Sequence, residues 1–345
     1  MTLSVPFRFA VVLYGEDGAN LGTVPVVRDF EPAYEWTRFY LQRRGQLRLE
    51  ENGCASTVIP IFDSIAGEPY CRGFRIQIAR PGGVPVGSDF PNTHFRDCAA
   101  AVASRFVEMK KLRAGETYTY VVVAYPAAPA VAGGGGLSVT DTSPGLPVQD
   151  GSLEDFLARA TPSGAIDSED MPVFVSPRAL DEAAAQTHAE EGTETGGILI
   201  GKLWRDAAAG EIFVEITAQI PAKHTSGSNV KLTFTPQTWA ATDAALRLRG
   251  REEIYLGYWH SHPVREWCKG KACTPEAQKN CHLAKDFFSA DDEAVMRAAF
   301  PRAYNVAIVA NDTAFTSLTF SMFGIRSGVT TPRGFYVLEE KSNGA

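Results

Sequence analysis

Apolar residues recur along this chain in short runs and alternations that predict strands, with helical stretches between them. Residues 7–14 form an apolar run that ends in a Gly-Glu-Asp-Gly turn, and residues 74–79 alternate apolar and polar side chains as a half-buried strand does. β-Branched and aromatic residues predict another strand at 118–125, and residues 97–112 are predicted as a helix. Residues 1–126 are therefore predicted to form a small mainly-β or α+β domain, and no catalytic constellation is recognisable in them.

A change of composition predicts a linker over residues 127–170. Ala, Pro, Gly, Ser and Thr dominate its first part, which includes four consecutive glycines at 133–136. These glycines lack the following Lys and Ser or Thr of a phosphate-binding loop, so a flexible linker is the favoured reading. A short amphipathic piece at 153–160 predicts a short helix that docks on one of the two domains.

Strand and helix patterns alternate through the remainder, residues 171–345. Ser176 is a favoured N-cap residue, and Pro177 is tolerated at the first helical position, so a helix is predicted to begin there. The predicted strands are 173–175, 197–201, 211–218, 254–259, 306–310, 315–323 and 335–338, and the predicted helices are 178–190, 237–249 and one from residue 289. The pattern predicts a mixed α/β (α+β) domain, with a mixed sheet flanked by helices.

Length and charge then narrow the classes of function. The chain has 345 residues, enough for two domains that each bury a core, and its formal charge of −7 argues against a general binder of nucleic acid or anionic membrane. It shows neither a signal-peptide pattern nor the roughly 18 uninterrupted apolar residues that a membrane helix needs. We therefore expect a cytoplasmic protein with no nucleic-acid or membrane partner.

The main chemical signal is the pair His260 and His262, at the end of the apolar run 254–259. Side chains two apart on a strand point to the same face, so the two imidazoles can hold one metal ion. Pro263 cannot continue a central strand, which places the pair where a strand meets a loop. An isolated His-x-His pair more often consists of polar surface residues than of metal ligands. The assignment as a metal site therefore depends on further ligands elsewhere in the sequence.

Three residues complete a candidate zinc hydrolase. Asp292 can supply an oxygen ligand beside the two histidines, and a metal in such a site lowers the pKa of its bound water to about 7. Glu194 is the candidate general base and acid, and Ser289 could donate a hydrogen bond to a developing oxyanion. Simpler roles also fit, because Ser289 and Asp292 have the spacing of a helix cap. Other carboxylates are rivals for the same roles, namely Glu190, Glu191, Asp286 and Asp291.

Taken together and in order, these pieces resemble the JAMM (MPN+, or JAB) metalloprotease family. The matching segments are Glu194 before Thr-Gly-Gly-Ile-Leu-Ile-Gly, then Phe-Thr-Pro at 234–236, then Gly-Tyr-Trp-His-Ser-His-Pro at 257–263, and finally Ser-x-x-Asp at 289–292. The resemblance covers roughly residues 171–329. It implies a zinc isopeptidase in which His260, His262 and Asp292 bind zinc, Glu194 is the acid/base and Ser289 stabilises the tetrahedral intermediate.

One departure from the family pattern is an insert within residues 265–288. Asp292 lies 30 residues beyond His262, which is farther than the usual spacing. The insert carries Cys268, Cys273, Cys281 and His282, and three thiolates with one imidazole could form a closed structural zinc site. The alternative is that these cysteines are free, because their spacing is not that of a standard zinc finger.

The resemblance leaves three functions open. The first is hydrolysis of the bond after the C-terminal glycine of a ubiquitin-like protein, in deconjugation or precursor maturation. Such enzymes occur beside E1-like and E2-like proteins in bacterial operons, including antiviral ones, so these proteins and the modifier's conjugates are the expected partners. The second is processing of a sulfur-carrier protein of the ubiquitin fold in biosynthesis. The third, a non-catalytic MPN scaffold, is disfavoured because the metal ligands are retained. Residues 1–126 are predicted to serve recognition, with a structural module as the alternative.

Overall fold

The computed structural model describes residues 3–49, 54–65, 68–80, 82–127, 145–190, 192–222, 234–268, 274, 276–277, 281, 287–313 and 318–339. The chain divides into two compact units, Met1–Gly145 and Leu146–Ala345. Each unit has its own sheet and its own hydrophobic core.

The first unit contains seven strands and two α-helices within the described residues. The strands are β1 (Leu3–Ser4), β2 (Phe7–Tyr14), β3 (Asn20–Val26), β4 (Ser56–Ile65), β5 (Glu68–Ile78), β6 (Val86–Pro91) and β7 (Thr119–Pro126). The helices are α1 (Glu31–Arg43) and α2 (Arg96–Glu108), with a 3-10 turn at Asn92–Phe95. The sheet order is β1-β4-β5-β7-β2-β3, and β6 pairs with β5.

Aromatic side chains form much of the first unit's core. Phe30, Phe74, Phe90 and Phe95 are each at most 4% exposed, and Phe74 stacks on Phe90 with ring centroids 5.0 Å apart. His94 is buried among them, 5.6 Å from the Phe74 ring and 5.1 Å from the Phe90 ring. Burial of large rings is the main stabilising term available to such a core.

Helix α1 has no counterpart among the predicted elements. Its buried residues include Glu35, Thr37, Arg38 and Gln42, so the sequence shows no clean apolar stripe of helical period. The available signal lies at its start, where Asp29 accepts the Glu31 N–H at 2.9 Å and a proline occupies the first turn.

Where the structure describes it, the second unit contains ten strands. These are β8 (Val148–Asp150), β9 (Ala160–Ser163), β10 (Val173–Val175), β11 (Gly196–Asp206), β12 (Glu211–Pro221), β13 (Ile254–His262), β14 (Val306–Asn311), β15 (Thr319–Arg326), β16 (Val329–Arg333) and β17 (Phe335–Leu338). Its helices among the described residues are α3 (Leu153–Leu157), α4 (Pro177–Ala189), α5 (Pro236–Arg249), α6 (Val264–Trp267) and α7 (Ala290–Ala299).

These strands form one mixed sheet in the order β16-β15-β14-β13-β11-β12-β10-β17-β9, with β8 added beside β11. β13 is antiparallel to β11 and parallel to β14. At Gly257, a Cβ atom would lie 1.7 Å from the Val306 carbonyl oxygen, so only glycine permits β14 to come this close. The mixed α+β class predicted for this domain, preceded by an additional β-rich unit, is confirmed.

Residues 148–163 differ from the linker predicted for them. β8 pairs in parallel with β11, and β9 pairs antiparallel with β17, so both strands belong to the sheet of the second unit. Between them, Phe156 of α3 is buried against Phe174 and Phe213. The strand signal was weak because β8 and β9 have three and four residues, and their pairing partners are distant in sequence.

Helices α5 and α7 cover the part of the sheet that leads to the histidine pair. Met296 and Phe300 of α7 pack on Ile198 and Tyr258, and Trp239 of α5 joins the same cluster. Residues two apart on a strand share a face, so the side chains of β13 on the same face as Tyr258 are directed toward α7. Every helix among the described residues is too short or too polar to cross a bilayer.

Candidate functional site

The last residues of β13 carry the two histidines into the buried interior. His260 and His262 are 1% and 2% exposed. They have the same strand parity as Tyr258, which packs on Phe300 of α7 with ring centroids 5.6 Å apart. Both imidazoles therefore lie on the side of the sheet that α7 covers.

Three potential ligand atoms converge at this point. The Nε2 atoms of His260 and His262 are 3.0 Å apart, and His260 Nε2 is 3.2 Å from Asp292 Oδ1. His260, His262 and Asp292 form the group of metal-ligating side chains found among the described residues, with ligand atoms all within 4.8 Å of one another. Two imidazole nitrogens and one carboxylate oxygen are a donor set that suits zinc and leaves a position open for water.

The N-terminus of α7 holds Asp292 in place. Ser289 is its N-cap: the Asp292 N–H donates to Ser289 Oγ at 3.2 Å, and the Ser289 N–H donates to Asp292 Oδ2 at 2.8 Å. The Ser289 hydroxyl also donates to Asp292 Oδ2 at 2.7 Å. This capping box satisfies backbone donors at the helix start and leaves Asp292 Oδ1 directed at His260. Asp291, one residue earlier, is not the carboxylate in this group, and Asp286 lies outside the described residues.

Strand pairing brings Glu194 to the same place from a distant part of the sequence. β11 pairs with β13 so that Gly196 lies opposite His260. Just before it, the Thr195 N–H donates to Ser261 Oγ at 3.0 Å, and the Ser261 N–H donates to the Thr195 carbonyl at 2.8 Å. Ser261 therefore ties the segment that bears Glu194 to the segment that bears both histidines.

The Glu194 carboxyl group is 7% exposed and makes no hydrogen bond among the described residues. Burial raises its pKa to about 7, and the charges of Asp292 and Asp291 add to the rise while His260 opposes it. Loss of hydration disfavours the ionised form, which explains the direction. A carboxyl group that titrates near neutral pH can both accept and return a proton.

Burial and the contacts within this cluster also shift the pKa values of His262 and Asp292. Burial, and then the neighbouring His260, lower the pKa of His262 to about 3. Burial alone would raise the pKa of Asp292, but hydrogen bonding and the charge of His260, with the contacts from Ser289, lower it below its usual range. His262 is therefore neutral and Asp292 ionised at neutral pH, as metal ligation requires.

Aromatic rings enclose the pair, and sequence reasoning did not assign them to the site. Tyr258 stacks on His260 at 5.5 Å, and its hydroxyl donates to the Asp292 carbonyl at 3.0 Å. Trp267 and Phe287 lie 5.0 Å and 5.5 Å from the His262 ring. Trp267 and Phe287 lie near the two ends of the insert. Aromatic residues at these positions were the sequence signal that could have assigned them to the site.

The four residues proposed for a second zinc cannot be placed together. Cys268 and Cys281 are half-buried and free of disulfides. Cys273 and His282 lie outside the described residues, so this site stays a prediction. The roles assigned to Glu194 and Ser289 also stay predictions, although the structure brings Glu194, His260, His262, Ser289 and Asp292 into one site.

Comparison with known proteins identifies the region around this site. Residues 176–266 match the family described as prokaryotic homologs of the JAB domain. The solution structure of a protein from Desulfitobacterium hafniense aligns with 49% of this chain and 95% of its own, at 18% identity and a TM-score of 0.35. No curated protein matches the chain.

Proposed function

Because residues 176–266 match the prokaryotic homologs of the JAB domain, we propose that the second unit is a zinc-dependent peptidase. The observation that carries the proposal is the convergence of His260, His262 and Asp292 within 4.8 Å, beside an unpaired and buried Glu194. A scaffold of this fold would have no use for three converging ligands. Keeping such polar groups in an apolar interior costs stability unless a cation or a reaction uses them.

A zinc ion held by these three ligands would polarise the scissile carbonyl and lower the pKa of a bound water. Glu194 would take a proton from the attacking water and deliver it to the leaving amine nitrogen. Its raised pKa suits both steps, because a carboxylate of lower pKa would be a weaker base toward the water, whereas a group of much higher pKa would release the proton less readily. Its carboxylate is not engaged elsewhere among the described residues, so it is available for this transfer.

Ser289 acts mainly through Asp292 in this arrangement. Its hydroxyl hydrogen is directed at Asp292 Oδ2, 2.7 Å away, and a hydroxyl has a single hydrogen to donate. We propose that Ser289 fixes the carboxylate ligand in the bound state. Stabilisation of an oxyanion by Ser289 requires that this hydrogen turn to the substrate during the reaction.

We propose that the substrate is a ubiquitin-like protein or its conjugate, and that the bond cleaved is the one after its C-terminal glycine. This proposal is supported by the family resemblance of the motifs, in deconjugation or in maturation of a precursor. The same resemblance supports two further proposals, namely that E1-like and E2-like proteins are partners and that the gene lies in a bacterial antiviral operon. Processing of a sulfur carrier of the ubiquitin fold would use the same bond and the same residues.

The deciding experiment combines zinc content with turnover on one defined probe. The probe is a peptide ending in Gly-Gly that is joined by an isopeptide bond to the lysine of a fluorescent peptide. Glu194→Gln keeps the shape of the side chain and removes the base, so turnover should fall by about 100-fold or more. Zinc per chain should equal that of the wild type, because His260, His262 and Asp292 are intact.

Glu154→Gln is the matched control, since Glu154 is an exposed carboxylate on α3, and it should leave turnover and zinc unchanged. Wild-type turnover by Glu194→Gln would refute the assigned role of Glu194. A wild-type protein that binds no zinc, or binds zinc and leaves the probe intact, would remove the peptidase proposal for this bond.

A further inference from the structure

A cavity of about 880 Å³ adjoins Glu194 on the side of helix α4. One wall is formed by Glu182, Ala185 and Gln186 of α4 together with Glu190, the residue that follows the helix. The other walls are the loop that carries Glu194 and the end of β12 at Gln219, Pro221 and Ala222. The catalytic candidate thus lies at the boundary of a space that the three metal ligands do not line.

The charge of this cavity is one-sided. Its described lining includes three carboxylates, Glu182, Glu190 and Glu194, and contains no Lys, Arg or His. Glu182 accepts a hydrogen bond from Arg178 at 2.8 Å, but the Arg178 side chain is 82% exposed. Water screens an exposed pair of this kind, so Arg178 offsets little of the negative charge.

Within the part of the chain that the structure describes, side chains of largely buried residues present polar groups without hydrogen-bond partners to this cavity. Glu194 is 7% exposed and makes no hydrogen bond among the described residues. Gln219 is 5% exposed; its carbonyl oxygen accepts the Trp259 indole N–H at 3.0 Å, but its amide nitrogen makes no hydrogen bond to the described residues. The side-chain carbonyl oxygen of Gln186, which lines the same cavity, is buried and has no hydrogen-bond partner among the described residues. Buried polar groups are nearly always paired, so these open donors and acceptors are places where a polar ligand in the cavity can bind.

The position of Glu194 indicates which part of a substrate the cavity faces. Under the proposed function, Glu194 delivers a proton to the leaving amine, so it must reach hydrogen-bond distance of that nitrogen. A space that opens directly from Glu194, away from the metal ligands, therefore lies beside the leaving group rather than the acyl group. The segment on this side is the target chain that carries the released amine.

We propose that this cavity is the leaving-group subsite and that it takes a lysine or arginine side chain of the target segment next to the released amine. Glu182 and Glu190 supply the charge complementarity, and Gln219 pairs with the peptide backbone. The proposal rests on the proposed function for its orientation. Binding of a cationic peptide to this cavity can be measured whether or not cleavage occurs.

The test is an NMR titration of the zinc-loaded full chain with two short peptides. One peptide carries three lysines, and the other carries glutamines at the same positions. The lysine peptide should bind about tenfold more tightly, the effect of two screened ion pairs, and the preference should shrink as salt increases. The double variant Glu182→Gln/Glu190→Gln should reduce the affinity for the lysine peptide to that for the glutamine peptide.

A control with the same change in net charge is Glu108→Gln/Glu154→Gln, because both residues are exposed and neither belongs to the lining of this cavity. It should keep the preference for lysine. Equal binding of the two peptides by the wild type, no binding of either, or the same loss in both double variants would overturn the subsite. Zinc content and cleavage of the isopeptide probe by the wild type are scored separately, so a failed peptidase proposal is distinguishable from a failed subsite.

Discussion

Both units bury histidine among aromatic rings, yet the two environments differ in the partners they provide. His94 of the first unit is 7% exposed between Phe74 and Phe90, and its buried Nδ1 has no hydrogen-bond partner among the described residues. Burial, with the charge of Arg28, lowers its pKa to about 4. In the second unit, His260 and His262 are equally enclosed and their Nδ1 atoms also have no partner among the described residues, but His260 Nε2 lies 3.2 Å from Asp292 Oδ1.

The comparison shows that burial and a lowered pKa do not by themselves identify a functional histidine. Both are consequences of removing an imidazole from water, whatever its purpose. What distinguishes the second unit is convergence: two imidazole nitrogens, a carboxylate oxygen of Asp292 and the unpaired Glu194 meet where β13 ends and α7 begins. Among the described residues, His94 contacts the rings of Phe74 and Phe90 and is affected by the charge of Arg28. We therefore interpret it as a packing residue of the core.

The largest expected effect comes from replacing a histidine of the candidate metal site, with replacement of His94 as the comparison. His262→Ala removes a ligand and should weaken zinc binding by more than about 100-fold, beyond the 10- to 100-fold typical of residues that only orient ligands. Cleavage of the isopeptide probe should be lost with the metal. His94→Leu should leave zinc per chain and cleavage unchanged. Elemental analysis of both variants checks this, and zinc loss in His94→Leu would break the distinction between the two units.

A second prediction concerns the stability of the first unit at acid pH. The pKa of His94 is about 4 in the folded protein and about 6.5 when unfolded. Between these pH values the unfolded chain binds a proton at His94 that the folded unit does not bind. The free energy of unfolding therefore falls as pH decreases from about 6.5 to about 4, and His94 makes no such contribution above pH 6.5. The full loss is about 3 kcal/mol.

Urea unfolding of the whole chain across this window, followed in the transition of the first unit, measures the effect. His94→Leu cannot take up a proton, so the difference between its stability and that of the wild type should change with pH by this amount. Parallel pH profiles for the two proteins would show that His94 is charged in the folded unit, contrary to its apolar surroundings.

The smallest predicted effect sharpens the role of the link between β11 and β13. Ser261→Ala removes the acceptor of the Thr195 N–H, and leaving a buried donor unpaired costs about 1–3 kcal/mol. Because that bond holds Glu194 beside the histidines, turnover should fall while zinc stays bound. Ser261→Thr retains the hydroxyl and should restore turnover. If Ser261→Ala loses stability but keeps the kcat and pH profile of the wild type, the bond is structural only.

The sequence by itself determined the local parts of this protein. The alternation and length of apolar runs predicted most strands of the second unit, and cap residues predicted the starts of α4 and α7. The spacing of His260 and His262 placed two imidazoles on one strand face, because that periodicity is a property of the extended backbone itself. Ser289 and Asp292 could likewise be read as a cap, since a capping box involves residues of a single turn.

Only the tertiary structure decided which of these parts meet. Thr195 and Ser261 are 66 residues apart, and nothing in either segment specifies their pairing, which depends on how the whole sheet assembles. The same dependence explains why α1, with its buried polar residues, and the short strands β8 and β9 were missed, because contacts distant in sequence stabilise them. Local pattern fixes what a segment can form, whereas long-range packing fixes which carboxylate reaches which histidine and whether a cavity opens beside it.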